Sequence, residues 1–206
     1  MKCIYFNVNE LNIDNNFHKA YESIPWMNYM EKTDRLKCLD DKLLSTGVSL
    51  LLSYVFREKD TDCIRLRYED GAKPCLRGKQ DFYFNCSHSG NYAVIAYSDS
   101  PIGVDVEKIR SVNKKVATRL FTEKEQELVV DDESFLHLWT KKESYVKKTG
   151  RGRFQMSEIE VLPNSPDMKG LIFSETIVDN HIITVCHSKK EKAEWKQISF
   201  TELMKG

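Results

Sequence analysis

The segment Trp139-Thr140-Lys141-Lys142-Glu143-Ser144-Tyr145-Val146-Lys147 puts a carboxylate where a helix should be apolar. Turned at about 100° per residue, Phe135, Leu136, Trp139 and Val146 fall on one stripe, with Glu143 in its middle. Lys142 and Lys147 flank Glu143, while His137, Lys141 and Lys148 point the other way. An acid aimed at a core needs a cation, a metal or several hydrogen bonds to offset its desolvation. The plain alternative is a Glu reaching out to a lysine at the helix edge.

Asp105 and Glu107 lie in Pro101-Ile102-Gly103-Val104-Asp105-Val106-Glu107, which reads as a strand. Residues two apart share a strand face, so both acids point one way while Val104 and Val106 point into the core. Two carboxylates on one face repel unless something positive lies between them. A hard cation such as Mg²⁺ suits, because it takes oxygen ligands from few carboxylates and completes its octahedron with water and substrate phosphate. A solvent-facing acidic pair at a sheet edge is the competing reading. Just upstream, Phe84-Asn85-Cys86-Ser87-His88-Ser89-Gly90 offers hydroxyls, an imidazole and a Gly at the mouth of a strand. Such groups suit phosphate binding. A solvated turn histidine is the alternative, and no Gly-x-Ser-x-Gly elbow marks a hydrolase.

Taken together, Asn85-Cys86-Ser87-His88-Ser89, Gly103-Val104-Asp105-Val106-Glu107 and Trp139-x-x-Lys142-Glu143-Ser144-x-x-Lys147 resemble the 4′-phosphopantetheinyl transferases in order and spacing. The chain is more similar to the longer, monomeric surfactin-synthetase-activating type than to the short trimeric holo-acyl-carrier-protein synthase type. Ala72-Lys73-Pro74 resembles that family's Gly-Lys-Pro, with Ala72 in the place of Gly. Phe121-Thr122-Glu123-Lys124-Glu125 resembles its Phe-Ser/Thr-x-x-Glu element. The resemblance is strong over about residues 70–155 and loose elsewhere.

The resemblance implies a Mg²⁺-dependent transfer of the 4′-phosphopantetheine arm of coenzyme A to a serine of an acyl or peptidyl carrier protein. Adenosine 3′,5′-bisphosphate is the leaving product. It implies an α+β fold of two similar α/β subdomains in pseudo-twofold arrangement, here 1–103 and 104–206, with the site between them. Asp105, Glu107 and Glu143 are the implied metal ligands. Glu143 is also the implied base for the serine, directly or through a water, and coordination would weaken it in that role. Lys147, one turn beyond, would neutralise the diphosphate or the leaving group. Lys142 is offered for the same task, with an exposed lysine on the helix edge as its alternative. Ser87 and His88 match the phosphate contacts, His88 at the 3′-phosphate, and Lys73 matches the residue beside the adenine. The family prefers Arg at the column held here by Leu43, so Lys42 and Arg35 are assigned to the 3′-phosphate instead. Carrier domains are generally acidic beside their serine, so Lys108–Leu120, with Arg110, Lys114, Lys115 and Arg119, is the expected docking stretch. An ordinary solvated basic face is its alternative. A coenzyme A-binding module without activity and a Mg²⁺-dependent phosphohydrolase are the rival functions.

Several elements must position these groups. Residues 1–8 alternate like an opening strand, and 17–30 and 40–56 have helical spacing. Residues 64–68 and 92–97 read as strands, and Ser98-Asp99-Ser100-Pro101 should turn the second back against 103–107 as a hairpin. Residues 114–120 and 122–130 read as short helices, then 135–148 as the signature helix, stopped at Gly150. Strands are expected at 159–162, 171–175, 181–187 and 195–201.

At 206 residues and 24.0 kDa the chain has room for one ordinary domain or two small ones. Its 31 basic residues balance 31 acidic ones, which argues against a nucleic-acid-binding face as its main business. The N-terminus turns polar too soon for a signal peptide, and the most apolar run, Val48 to Phe56, is too short to span a bilayer. Six cysteines without Cys-x-x-Cys or metal spacing read as small buried hydrophobes in a reducing compartment. The expectation is a cytoplasmic monomer with no membrane or nucleic-acid partner.

Overall fold

Strand β1 (Lys2–Asn7) lies inside a four-stranded sheet of order β4-β5-β1-β9, formed with β4 (Tyr83–Ser89), β5 (Tyr92–Ser98) and β9 (Glu194–Gln197). β1 is antiparallel to β5 and parallel to β9. The structure is a computed structural model and describes residues 1–13, 15–25, 27–59, 66–68, 74–76 and 82–205. One face of the sheet is covered by α3 (Leu39–Glu58), whose Leu51, Leu52, Val55 and Phe56 pack with Ile4, Phe6 and Ile95. Each such buried side chain contributes about 1.5–3 kcal/mol. The helix expected over 17–30 is instead two, α1 (Asn16–Ser23) and α2 (Met27–Arg35). Pro25 lies between them, and a proline both lacks the N–H a helix needs and restrains its predecessor.

The expected hairpin between 92–97 and 103–107 does not form. β5 is antiparallel to β4 through the turn at Gly90 (φ +55°), and β6 (Gly103–Lys108) opens a second sheet of order β6-β8-β7. Its partners β8 (His181–Ser188) and β7 (Leu171–Val178) are antiparallel. Every residue of β5 is buried, so the strand needs cover on both faces. Ala93, Ile95 and Tyr97 turn to α3, while Tyr92, Val94 and Ala96 pack on Val104, Val106, Ile183 and Val185. Stacking buries more of this sequence than pairing would.

The far face of the second sheet carries α6 (Asp132–Thr149), capped by a reciprocal Asp131–Ser134 box and ended by Gly150 at φ +75°. Gly103 lets this helix rest on β6: a Cβ there would lie 2.0 Å from Ser144 O and 2.5 Å from Lys148 N. The layers therefore run α3, first sheet, second sheet, α6. The division expected after residue 103 falls at the start of β6, but β9 and α7 (Phe200–Leu203) return to the first sheet.

Smaller elements differ locally. β2 (Leu66–Tyr68) pairs with β3 (Pro74–Leu76), residues 64 and 65 lying outside the described residues. Residues 114–120 are a 3-10 turn followed by α4 (Ala117–Leu120), and 122–130 holds only α5 (Glu123–Gln126). The last expected strand, 195–201, divides into β9 and α7.

No strand forms at 159–162, because side chains take its backbone groups. Lys142 Nζ donates to Met156 O (2.6 Å) and Ile159 O (2.5 Å), while Glu125 Oε1 accepts from Val161 N (2.8 Å). Lys142 and Glu125 pair at 2.7 Å with both side chains 0% exposed. Lys142 is thus neither an exposed edge lysine nor a diphosphate partner. It is the buried clamp that ties α6 to α5 and to residues 156–161.

Candidate functional site

β4 and β6 meet where the two sheets adjoin, joined by side chains. Asn85 Oδ1 accepts from Val104 N (2.9 Å), and Ser89 Oγ accepts from Lys108 N (3.3 Å). Between these lie two serine–carboxylate contacts, Ser87 Oγ to Asp105 Oδ1 and Ser89 Oγ to Glu107 Oε2, each 2.9 Å. Ser87 and Ser89 share a face of β4 as Asp105 and Glu107 share one of β6, so the two alternations mesh.

α6 lays two further side chains on this seam. Lys147 Nζ donates to Asp105 Oδ1 (2.7 Å), Ser87 Oγ (2.9 Å) and Val104 O (3.1 Å), which accounts for all three of its donors. Trp139 Nε1 donates to Glu107 Oε1 (3.2 Å), so each oxygen of Glu107 has one side-chain donor. Burial pushes the Glu107 carboxyl above the usual carboxylate range, and the neighbouring Asp105 adds to it against the pull of Ser89, Arg110 and Trp139. Close by, burial pushes the Cys86 thiol up to about 12, despite Lys147, so it is an inert neighbour.

Among the described residues no three His, Cys, Asp or Glu side chains stand as a group that could hold a metal ion. The Asp105–Glu107 pair still fits part of such a site. Asp105 Oδ2 is buried with no hydrogen-bond partner among the described residues, and a buried lone carboxylate oxygen is costly unless it meets a donor or cation. The raised Glu107 carboxyl likewise calls for positive charge. Glu143 is buried (2% exposed) on the helix that supplies Trp139 and Lys147, as its place on the apolar stripe foretold.

The other expected residues scatter more widely. His88 is exposed, next in β4 to the buried Ser87. Lys73 lies outside the described residues. Arg35, at the end of α2, is 82% exposed and paired to Glu31 at 3.9 Å, and Lys42 is half-buried in the first turns of α3. Neither is bonded to the Ser87–Asp105 cluster among the described residues. Leu43 is buried in the core beneath α3, so its column faces inward here. The cysteine expectation fails at Cys38, which is exposed; Cys3 and Cys186 are buried, and none of the three, nor Cys86, is in a disulfide among the described residues.

The sequence model of the 4′-phosphopantetheinyl transferase superfamily matches residues 101–198, which hold β6, α6 and the remainder of the second sheet. Over these residues the chain is similar to that superfamily. It is 31% identical to the 4′-phosphopantetheinyl transferase Sfp of Bacillus subtilis (strain 168), over 64% of this chain and 65% of the relative. It is 29% identical to the transferase psf-1 of Bacillus pumilus over 68% of this chain and 65% of the relative. Against HetI of Nostoc sp. the identity is 36% over 48% of this chain and 46% of the relative. The chain thus spans slightly less than two thirds of the length of the first two relatives. The mixed α+β architecture is consistent with that superfamily.

Ser89 and Trp139, the two side chains that hold Glu107, are not singled out in the sequence, although both lie in the quoted motifs. A signal for Ser89 was present: Ser87 and Ser89 stand two apart on a strand, matching the spacing of Asp105 and Glu107. Trp139 carried no comparable signal, because a tryptophan on an apolar stripe reads as core.

Proposed function

We propose that this chain transfers the 4′-phosphopantetheine arm of coenzyme A to a serine hydroxyl of an acyl or peptidyl carrier protein, releasing adenosine 3′,5′-bisphosphate. The carrying observation is the seam: Lys147 on Ser87 and Asp105, with Glu107 held between Ser89 and Trp139 on the same strand face. Displacement at phosphorus depends on positioning, charge neutralisation and removal of a proton from the attacking hydroxyl. Lys147 brings positive charge to the diphosphate and to the leaving oxygen. Ser87, whose hydroxyl donates to Asp105 here, would turn that hydroxyl to a phosphate oxygen, and the exposed His88 reaches the 3′-phosphate. Glu143 takes the serine proton, directly or through a water. Lys73 beside the adenine, and Lys42 and Arg35 at the 3′-phosphate, rest on the family resemblance alone.

Asp105, Glu107 and Glu143 would hold Mg²⁺, which when bound supplies Lewis-acid neutralisation of the diphosphate. The buried Asp105 Oδ2 and the raised Glu107 carboxyl support that part of the reading.

The carrier protein docks on residues 108–120 in this reading. Arg110, Lys115 and Arg119 are exposed there, while Ile109, Val112 and Val116 are half-buried beneath them. We read residues 1–103 and 104–206 as two pseudo-twofold subdomains, supported by one long helix on each sheet, α3 and α6. A cytoplasmic monomer without a nucleic-acid or membrane partner completes the reading. The balanced charge supports the part about nucleic acid. Among the described residues no helix is long and apolar enough to cross a membrane.

The test is incubation with coenzyme A, Mg²⁺ and an apo carrier protein, read by intact mass. Addition of the phosphopantetheine mass to the carrier is expected. Free phosphopantetheine would mean a hydrolase, and unchanged masses with coenzyme A bound would mean a binding module.

A further inference from the structure

A cavity of about 560 Å³ opens on the side of α6 turned away from the seam. At about 100° per residue, the α6 positions lining it (Ser134, His137, Leu138, Lys141) lie opposite Trp139, Glu143 and Lys147. α6 covers β6 and β8 and leaves Leu171 and Phe173 of the edge strand β7 as one apolar wall, closed by Val161, Leu162 and Met168. Leu128 stands at its margin, 51% exposed. The size falls within the roughly 300–1,000 Å³ of ligand pockets, and mostly apolar walls with a few convergent polar groups are their usual lining.

The charges select the ligand. Glu175 is already satisfied, accepting from His137 Nδ1 (3.0 Å), Thr184 Oγ1 (3.1 Å) and Lys141 Nζ (2.9 Å). It therefore needs no cation from a ligand. Lys141 gives Glu175 a single contact and keeps further N–H donors. Lys189 is exposed, lines the same cavity and has no ion pair among the described residues. Two ammonium groups thus face one carboxylate, a surplus of one positive charge. A second negative charge on the ligand would be opposed by Glu175. We propose that this cavity binds an apolar monocarboxylate, its chain against Leu138, Leu171 and Phe173 and its carboxylate at Lys141 and Lys189.

The probe is sodium decanoate, titrated calorimetrically into the full chain below its micellar concentration, with octanoate, decanol and decyl phosphate alongside. One-to-one binding is expected, tighter for decanoate than octanoate by about three- to fourfold per added CH₂. Lys189→Glu and Leu128→Asp, both at exposed positions, should each weaken it at least about fivefold with an unchanged melting temperature. Decanol and decyl phosphate should bind more weakly than decanoate. The proposal is overturned by absence of saturable binding, by a stoichiometry above one, by variants that bind like the parent, or by decanol or decyl phosphate matching decanoate.

Discussion

Lys147 Nζ stands 2.7 Å from Asp105 Oδ1, so the helix and the strand that carry the site are joined by its own cation. Gly103 makes this contact available, since any Cβ there would hold α6 off β6 at Ser144. If the pair works as proposed, Lys147→Met should lower phosphopantetheine transfer on the order of 10²–10³-fold, the loss typical of one stabilising group at a reacting oxygen. Circular dichroism of the variant should stay that of the parent. Asp105→Ala should be inactive, and EDTA should stop the parent enzyme until Mg²⁺ or Mn²⁺ is added. Full activity in chelator would remove the metal from the mechanism.

His88 reports on the 3′-phosphate. His88→Ala should weaken coenzyme A relative to dephospho-coenzyme A by about 1.5–3 kcal/mol, the usual worth of a hydrogen bond to a charged group. Equal losses for the two ligands, measured by calorimetry, would put His88 on the diphosphate or off the ligand altogether.

The carrier face is tested at Lys115 and Arg119, both exposed. Charge reversal at either should raise the KM for carrier protein and flatten its dependence on salt, leaving coenzyme A affinity unchanged. Rim charges steer association and are screened within about 8–10 Å at physiological ionic strength. Arg110 is a poorer probe, because it also lowers the Glu107 carboxyl and would report on both sites. Normal carrier kinetics in both variants would move the docking surface elsewhere.

Lys142 and Glu125 are predicted to matter for folding and not for chemistry. Lys142→Met leaves Glu125 buried without its cation and Met156 O and Ile159 O without their donor. Loss of one partner of a buried pair costs about 3–5 kcal/mol, measurable by urea unfolding. Activity per folded molecule should stay near that of the parent. A stable variant with collapsed kcat would instead return Lys142 to the diphosphate.

Acid should loosen the second sheet through two histidines. Burial lowers both His181 and His187 below the ordinary histidine range. His181 accepts at Nε2 from Asn91 N (3.3 Å) and has Nδ1 2.7 Å from Asp179 O, a neutral tautomer with no room for a second proton. A depressed folded value means the unfolded chain binds protons first. Stability should therefore be fully present above about pH 6.5, the unfolded value, and decline as pH falls through the folded ones. Melting temperatures at pH 7.5 and 5.5 should differ, and His181→Gln with His187→Gln should shrink the difference. A parent protein with the same melting temperature at both pH values would contradict this.

The faces that Asp105, Glu107 and Glu143 occupy were legible in the chain itself. Period-two spacing put Asp105 and Glu107 on one side of a strand and two valines on the other, and both valines are buried. Period-3.6 spacing turned Glu143 inward, and Gly150 ended its helix. These are local properties, fixed by backbone geometry and by which side chains water rejects. The partner of each face is not local. That β5 and β6 stack instead of pairing was decided by the need to cover both sides of a fully buried, largely apolar strand. That Ser89 and Trp139 bracket Glu107, and that Lys142 turns to Glu125 while Lys147 turns to Asp105, was decided by which elements pack together. Two lysines five residues apart on one helix read alike in sequence. Only the buried carboxylate that each one meets, reached through distant chain, makes one a structural clamp and the other the cation of the site.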